Sequence, residues 1–127
     1  GTLADAATVK LPKRIPYHVA MDLLFTGRWM DVQEAQRWGL VNEILADEAA
    51  LMACVWEVAR LLASGPPLVF AAIKGVAREA EAMSFQNAMN YITKRKFATV
   101  DALYDSEDNL EGFKAFAEKR EPVWRGR

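Results

Sequence analysis

Apolar residues recur at three- and four-residue intervals along most of the chain, the repeat of one face of an α-helix. From Pro12 to Phe25 the apolar positions Ile15, Val19, Leu23 and Leu24 keep that spacing, with Pro16 setting the start of regular helix and Thr26-Gly27 its stop. Residues 1–11 are small and polar without a period, and read as a loop. Asp31 has Glu34 three residues on, a capping-box arrangement, and Gly39 closes the short helix behind Trp38. That helix is expected to bury Val32 and Ala35, with Trp38 at its edge. Residues 40–45, Leu-Val-Asn-Glu-Ile-Leu, form the only extended stretch, too brief to make a sheet alone.

Everything beyond residue 45 is helical in period. Leu51, Val55, Val58 and Leu62 define one stripe, ended by Ser64-Gly65. Pro66-Pro67 open the next helix as proline does at a first turn, with Val69, Ile73, Val76 and Ala80 expected to face inward. Ser84 is placed to cap the longest helix, along which Phe85, Met89 and Ile92 and then Val100, Leu103 and Tyr104 recur. Ser106, followed by Glu107 and Asp108, starts the last helix with acids at the favourable end of its dipole. Lys119 and Arg120 stand at its other end, and Pro122 stops it. The pattern predicts five or six helices and almost no strand.

A chain of 127 residues is one domain in length. Its 16 basic and 17 acidic residues balance to a net charge of −1, which gives no electrostatic reason to expect nucleic acid or an acidic membrane surface. No apolar run reaches the roughly 18 residues of a membrane helix. The opening GTLADAATVKLPKR lacks the order of charge and apolar core that marks a signal peptide. One cysteine, Cys54, and one histidine, His18, fit a reducing compartment without a zinc site, so cytoplasm is the expectation. Phe85, Tyr91, Phe97, Phe113, Phe116 and the four tryptophans are a surplus of large apolar groups for so small a body. One face is therefore expected to meet a partner chain or another domain.

Catalytic constellations are scarce. His18 would need a serine nucleophile, and none of Ser64, Ser84 and Ser106 sits in a nucleophile-elbow context. It reads as a surface or hydrogen-bonded residue. Cys54 lies in an apolar helix with no adjacent cation and reads as a buried, inert thiol. Glu79 and Glu81, two apart on a helix, diverge and belong to a solvated face. The best functional signal is the last helix. Phe116 and Lys119, three apart, share a face on which an aromatic plane and an ammonium group would suit a ligand with a ring and phosphates. Gly112, which costs about 1 kcal/mol against alanine, suggests close approach of something to the backbone. On composition and spacing alone the plainer reading is favoured: Phe113 and Phe116 are core, and Lys119 and Arg120 complement the helix dipole.

An ordered series of segments changes that balance. Leu11-Pro12-Lys13, Phe25-Thr26-Gly27-Arg28 and the run Asp31 to Asn42 with Glu34-Ala35 and Trp38-Gly39-Leu40-Val41 come first. Pro67-Leu68 with Lys74 and the ending Glu111-Gly112…Ala115-Phe116…Glu118-Lys119-Arg120…Pro122 complete it. Together they resemble the crotonase (enoyl-CoA hydratase/isomerase) superfamily over essentially the whole chain. Thr26-Gly27-Arg28, Arg37-Trp38-Gly39 and Pro122-Val123-Trp124 are most similar to its carnitinyl-CoA dehydratase branch. One departure is Ala6-Ala7, where the family has a glycine pair with wider backbone freedom.

The resemblance implies a mainly α fold, the C-terminal helical (trimerisation) domain of the crotonase-like ββα-spiral fold, with at most one or two short strands. Residues 1–127 would be that single domain, and residues 1–15 a remnant loop of the spiral domain. Such enzymes run to about twice this length, and their oxyanion hole and catalytic glutamates lie upstream, so no catalytic residue is assigned here. The resemblance implies coenzyme A, carried as part of an acyl-CoA thioester substrate, with Phe116, Lys119 and Tyr104 as the cofactor-binding residues. Tyr104 also reads as a core residue with a bonded hydroxyl. No metal or prosthetic group is implied. A homo-oligomer, trimer or hexamer, is implied for the full-length protein, with no nucleic acid or membrane partner. The implied activity is reversible water addition to an enoyl-CoA by the parent protein, without turnover by this chain alone. The alternatives are a stand-alone helical oligomerisation module, or another reaction of the family such as isomerisation, hydrolysis or decarboxylation.

Overall fold

The computed structural model describes residues 2–127. Its helices are α1 (Asp5–Lys10), α2 (Tyr17–Thr26), α3 (Val32–Arg37), α4 (Glu48–Ala63), α5 (Pro67–Glu79), α6 (Phe85–Thr93), α7 (Ala98–Tyr104) and α8 (Glu107–Glu118), with 3-10 turns at Leu11–Lys13 and Ala80–Ala82. No strand occurs among the described residues. The fold is thus mainly α, and residues 40–45 differ from their extended pattern for lack of a strand to pair with. The Leu40 N–H instead closes α3, donating to the Ala35 carbonyl at 2.8 Å.

Residues 1–11 also differ from the loop expected of them. Ala6 and Ala7 are strong helix formers and sit in α1, which runs into the 3-10 turn at Leu11. The structure divides into two compact units, Gly1–Val55 and Trp56–Arg127.

In the first unit Ile15, Val19 and Ala20 are buried, with Leu11, Leu23, Trp38 and Leu40 packed around them. Helix α2 ends at Gly27, whose φ of 63° is the left-handed conformation glycine adopts without penalty. Half of the predicted capping box forms. Asp31 Oδ1 accepts from the Glu34 N–H at 2.7 Å, but the Glu34 carboxylate turns to Arg28, at 2.7 and 2.8 Å. Ala35 is buried as expected, whereas Val32 is exposed because it sits on the outer side of a helix of less than two turns. The stripe of α4 stays half exposed at Leu51, Val55, Val58 and Leu62, and α4 has no buried residue.

In the second unit the core is Ala72, Phe97 and Val100, with Val76, Met83, Ile92 and Leu103 against it. Of the positions expected inward, Val69 and Val76 on α5 and Ala80 in the turn after it are partly buried, while Ile73 is exposed. The long helix predicted from Ser84 onward is two helices. Arg95 takes φ 53°, Lys96 N–H donates back to Tyr91 O at 2.8 Å, and Phe97 turns inward to complete burial. The Arg95 guanidinium holds the bend, pairing with Asp101 at 3.1 Å and Asp105 at 2.5 Å and lying 5.6 Å from the Tyr104 ring centre. Periodicity continued across this bend because both helices face one core. A repeat of apolar positions does not register a single left-handed residue.

Candidate active-site surface on the last helix

Ser106 begins α8 as predicted, accepting from the Asn109 N–H at 3.0 Å and donating to Leu103 O at 2.6 Å. Two acids on the inner side of α8 then reach the chain's end. Asp108 is only 3% exposed; its Oδ1 accepts from the Arg125 N–H at 2.7 Å and its Oδ2 from the Gly126 N–H at 2.8 Å. The Asp108 N–H donates in turn to Arg127 O at 3.2 Å. One turn on, Glu111 accepts both arms of the Arg120 guanidinium, at 2.6 and 3.0 Å, and the Val123 N–H at 2.8 Å. The Arg120 contact, and next the Val123 N–H, pull the Glu111 carboxyl down to about 2. Arg120, bonded to Glu111 and Glu118, is raised above its ordinary value.

These bonds lay residues 120–127 back along α8. Trp124 arrives against Gly112, where an added Cβ would meet its Cη2 at 3.4 Å and Cζ3 at 3.7 Å. The close approach that Gly112 suggested is therefore made by this chain's own tryptophan. Beside it opens a groove of about 470 Å³ between the start of α5, the end of α7 and α8, lined by Val69, Tyr104, Asn109, Phe113, Phe116 and Trp124 among others. Its walls are mainly apolar and aromatic, which suits a flat ring.

Two of the three residues assigned to the cofactor, Tyr104 and Phe116, line this groove, half and almost fully exposed. Lys119 does not line it. It is the C-cap of α8, with φ 53°, so helical spacing no longer dictates where its side chain points. No ion pair engages its ammonium among the described residues. Phe113 and Phe116 are exposed, at 68% and 87%, which removes the reading of them as core.

The remaining candidates are structural. His18 is exposed on α2. Cys54 is half-buried rather than buried, its thiol 3.8 Å from Glu43 Oε2. Ser64 donates to Leu61 O, and Ser84 caps α6. Glu79 ends α5 and Glu81 lies in the following turn, both exposed. The roles of Asp108, Glu111 and Trp124 in shaping this surface escaped the sequence reading because their partners lie nine to eighteen residues away. The left-handed Gly126, at φ 72°, was the one local sign of a turn there.

The chain matches the family described as Enoyl-CoA hydratase/isomerase over residues 1–127. It is 40% identical to a carnitinyl-CoA dehydratase of Citrobacter koseri, covering 100% of this chain and 49% of that protein. The corresponding protein of Salmonella typhimurium is 38% identical with the same coverage. Among solved structures, an enoyl-CoA hydratase from Geobacillus kaustophilus superposes with a TM-score of 0.88 at 34% identity, over 100% of this chain and 47% of that one. One from Mycobacterium tuberculosis gives 0.84 at 31% identity, over 100% and 49%. The chain spans about half the length of the curated relatives it matches. With its fold and its full length both matched, the chain belongs to the enoyl-CoA hydratase/isomerase family.

Proposed function

We propose that this chain acts as the C-terminal part of a longer enzyme that adds water to, or removes it from, an enoyl-CoA thioester. The carnitinyl-CoA dehydratases at 40% identity favour that reaction within the family. The observation that carries the reading at this chain is the groove on α8, which gathers Tyr104 and Phe116 beside Trp124. In this reading the groove takes the ring of the coenzyme A nucleotide by stacking, and Lys119, just outside it, meets the phosphates. Binding energy spent on this remote handle positions the thioester for chemistry carried out by upstream residues. The exposed apolar stripe of α4 supplies surface for the rest of the polypeptide and for a trimeric or hexameric assembly.

Expression of the full reading frame that contains this chain, with crotonyl-CoA hydration as the assay, tests the reading. Activity is expected from the full-length protein and none from residues 1–127. Hydration by the 127-residue chain at an ordinary enzymatic rate would end the proposal. In the full-length protein, Lys119→Ala is expected to raise KM several-fold, in keeping with loss of a charge-assisted phosphate contact, with the oligomeric state unchanged. An unaltered KM at moderate salt refutes the phosphate role.

A further inference from the structure

The geometry points to Asp108 as a positioning residue: its carboxylate holds the chain's end so that Trp124 stands as a wall of the groove on α8. Three hydrogen bonds join this residue to the last three of the chain, two accepted by the carboxylate from Arg125 and Gly126 and one donated from its N–H to Arg127 O. Successive backbone N–H groups around a left-handed glycine form a concavity suited to an anion. Here the anion is supplied from within the fold. Burial of Asp108 to 3% exposure leaves its oxygens no water to exchange for these amides, so the tail is a required partner and not an incidental one. The charge also sits in the first turn of α8, where the helix dipole favours it.

Glu111 fastens the near end of the same tail through Arg120 and Val123. The two carboxylates, three residues apart on one face of α8, thus clamp it on both sides of Trp124. The edge of the indole, Cη2 and Cζ3, comes up against Gly112, the one position on α8 where no side chain intervenes. Asp108 itself does not meet the ring of a ligand by stacking. Asp108 borders the groove as well, and its positioning effect on binding passes through Trp124, which shares the groove with Tyr104 and Phe116. This inference rests on the coenzyme A reading only for its effect on KM.

The test pairs Asp108→Ala with the milder Asp108→Asn, which keeps one acceptor and so preserves folding if the alanine variant fails. In the 127-residue chain the Trp124 indole N–H resonance, identified by its loss in Trp124→Phe, is followed together with exchange of the Arg125 and Gly126 amides. Both variants are expected to shift that resonance and to speed exchange of the two amides about tenfold or more, while the Val100 amide keeps its protection. In the full-length protein they should raise KM for crotonyl-CoA with kcat retained. An unmoved resonance with unchanged exchange overturns the clamp. A loosened tail with unchanged KM overturns the positioning role. If the full-length protein has no activity on any acyl-CoA, the proposed function fails while the resonance arm still decides the clamp.

Discussion

Helices α5 and α7 meet where glycine leaves room for a threonine, and this contact makes a quantitative prediction. A Cβ added at Gly75 would lie 2.5 Å from Thr99 Oγ1, 3.2 Å from its Cγ2 and 3.3 Å from its Cβ. All three distances are shorter than the roughly 3.5–4.0 Å of favourable carbon contacts. Rotation about χ1 moves Oγ1 and Cγ2 but leaves Cβ in place, and a β-branched side chain in a helix has few rotamers to choose from. Gly75→Ala must therefore spread the two helices around Phe97 and Val100. Overpacking of this kind costs about 1–3 kcal/mol, against a helix-propensity gain of about 1 kcal/mol. In the unaltered chain the substitution should destabilise by about 0–2 kcal/mol. In a Thr99→Ala background Oγ1 and Cγ2 are gone and only Cβ, at 3.3 Å, remains close, so the same change should be at least about 0.5 kcal/mol less unfavourable than in the unaltered chain. Thr99 is a suitable partner for the cycle because its buried hydroxyl has no hydrogen bond to lose. Urea denaturation of the four proteins, followed at the Val100 and Phe97 amide resonances, reads the second unit alone. A coupling energy below about 0.5 kcal/mol, or stabilisation by Gly75→Ala in the unaltered chain, refutes the reasoning.

Phe97, with no exposed surface, should cost about 3–5 kcal/mol when truncated to alanine, read from the same denaturation curves. At Arg95, φ 53° penalises any residue with a Cβ, so Arg95→Gly should be more stable than Arg95→Ala by about 1 kcal/mol; equal midpoints would contradict this. Glu111 has its folded-state value depressed to about 2, so its contribution is complete above the unfolded value near 4.5 and disappears as pH falls from there through about 2. Glu34 behaves alike, because the Arg28 bond and then that of Trp38 draw it down to about 2. Glu111→Gln should accordingly flatten the acid limb of the melting-temperature profile and leave a smaller difference at low pH than at neutrality. Gly112→Ala should leave the Trp124 indole N–H resonance near its place, since the added Cβ would stand in ordinary contact with Cη2 at 3.4 Å and Cζ3 at 3.7 Å; a large shift would contradict this.

How far the molecule could be read in advance depended on how local each cause was. Helix starts at Asp31, Ser84 and Ser106 were legible because a cap acts over three residues, and each of these side chains accepts the N–H its position predicted. The left-handed stop at Gly27 was legible for the same reason. The break at Arg95 was not, since a cation in a helical period carries no mark of a positive φ. The groove was half legible. Phe116 and Tyr104 were singled out and do share it, but Lys119 was placed by a helical spacing that ends one residue before it.

By itself the sequence determined a mainly α chain, the positions of most helix caps and membership of the enoyl-CoA hydratase/isomerase family, because these follow from short-range spacing and ordered motifs. Only the tertiary structure decided which apolar faces are covered and where the tail goes. Periodicity assigned Ile73 and Val32 to a core that does not reach them, as burial depends on what lies opposite a face and not on the face alone. It was likewise silent about Asp108. A carboxylate in a first turn ordinarily answers to its own helix, and this one is committed to amides seventeen and eighteen residues away.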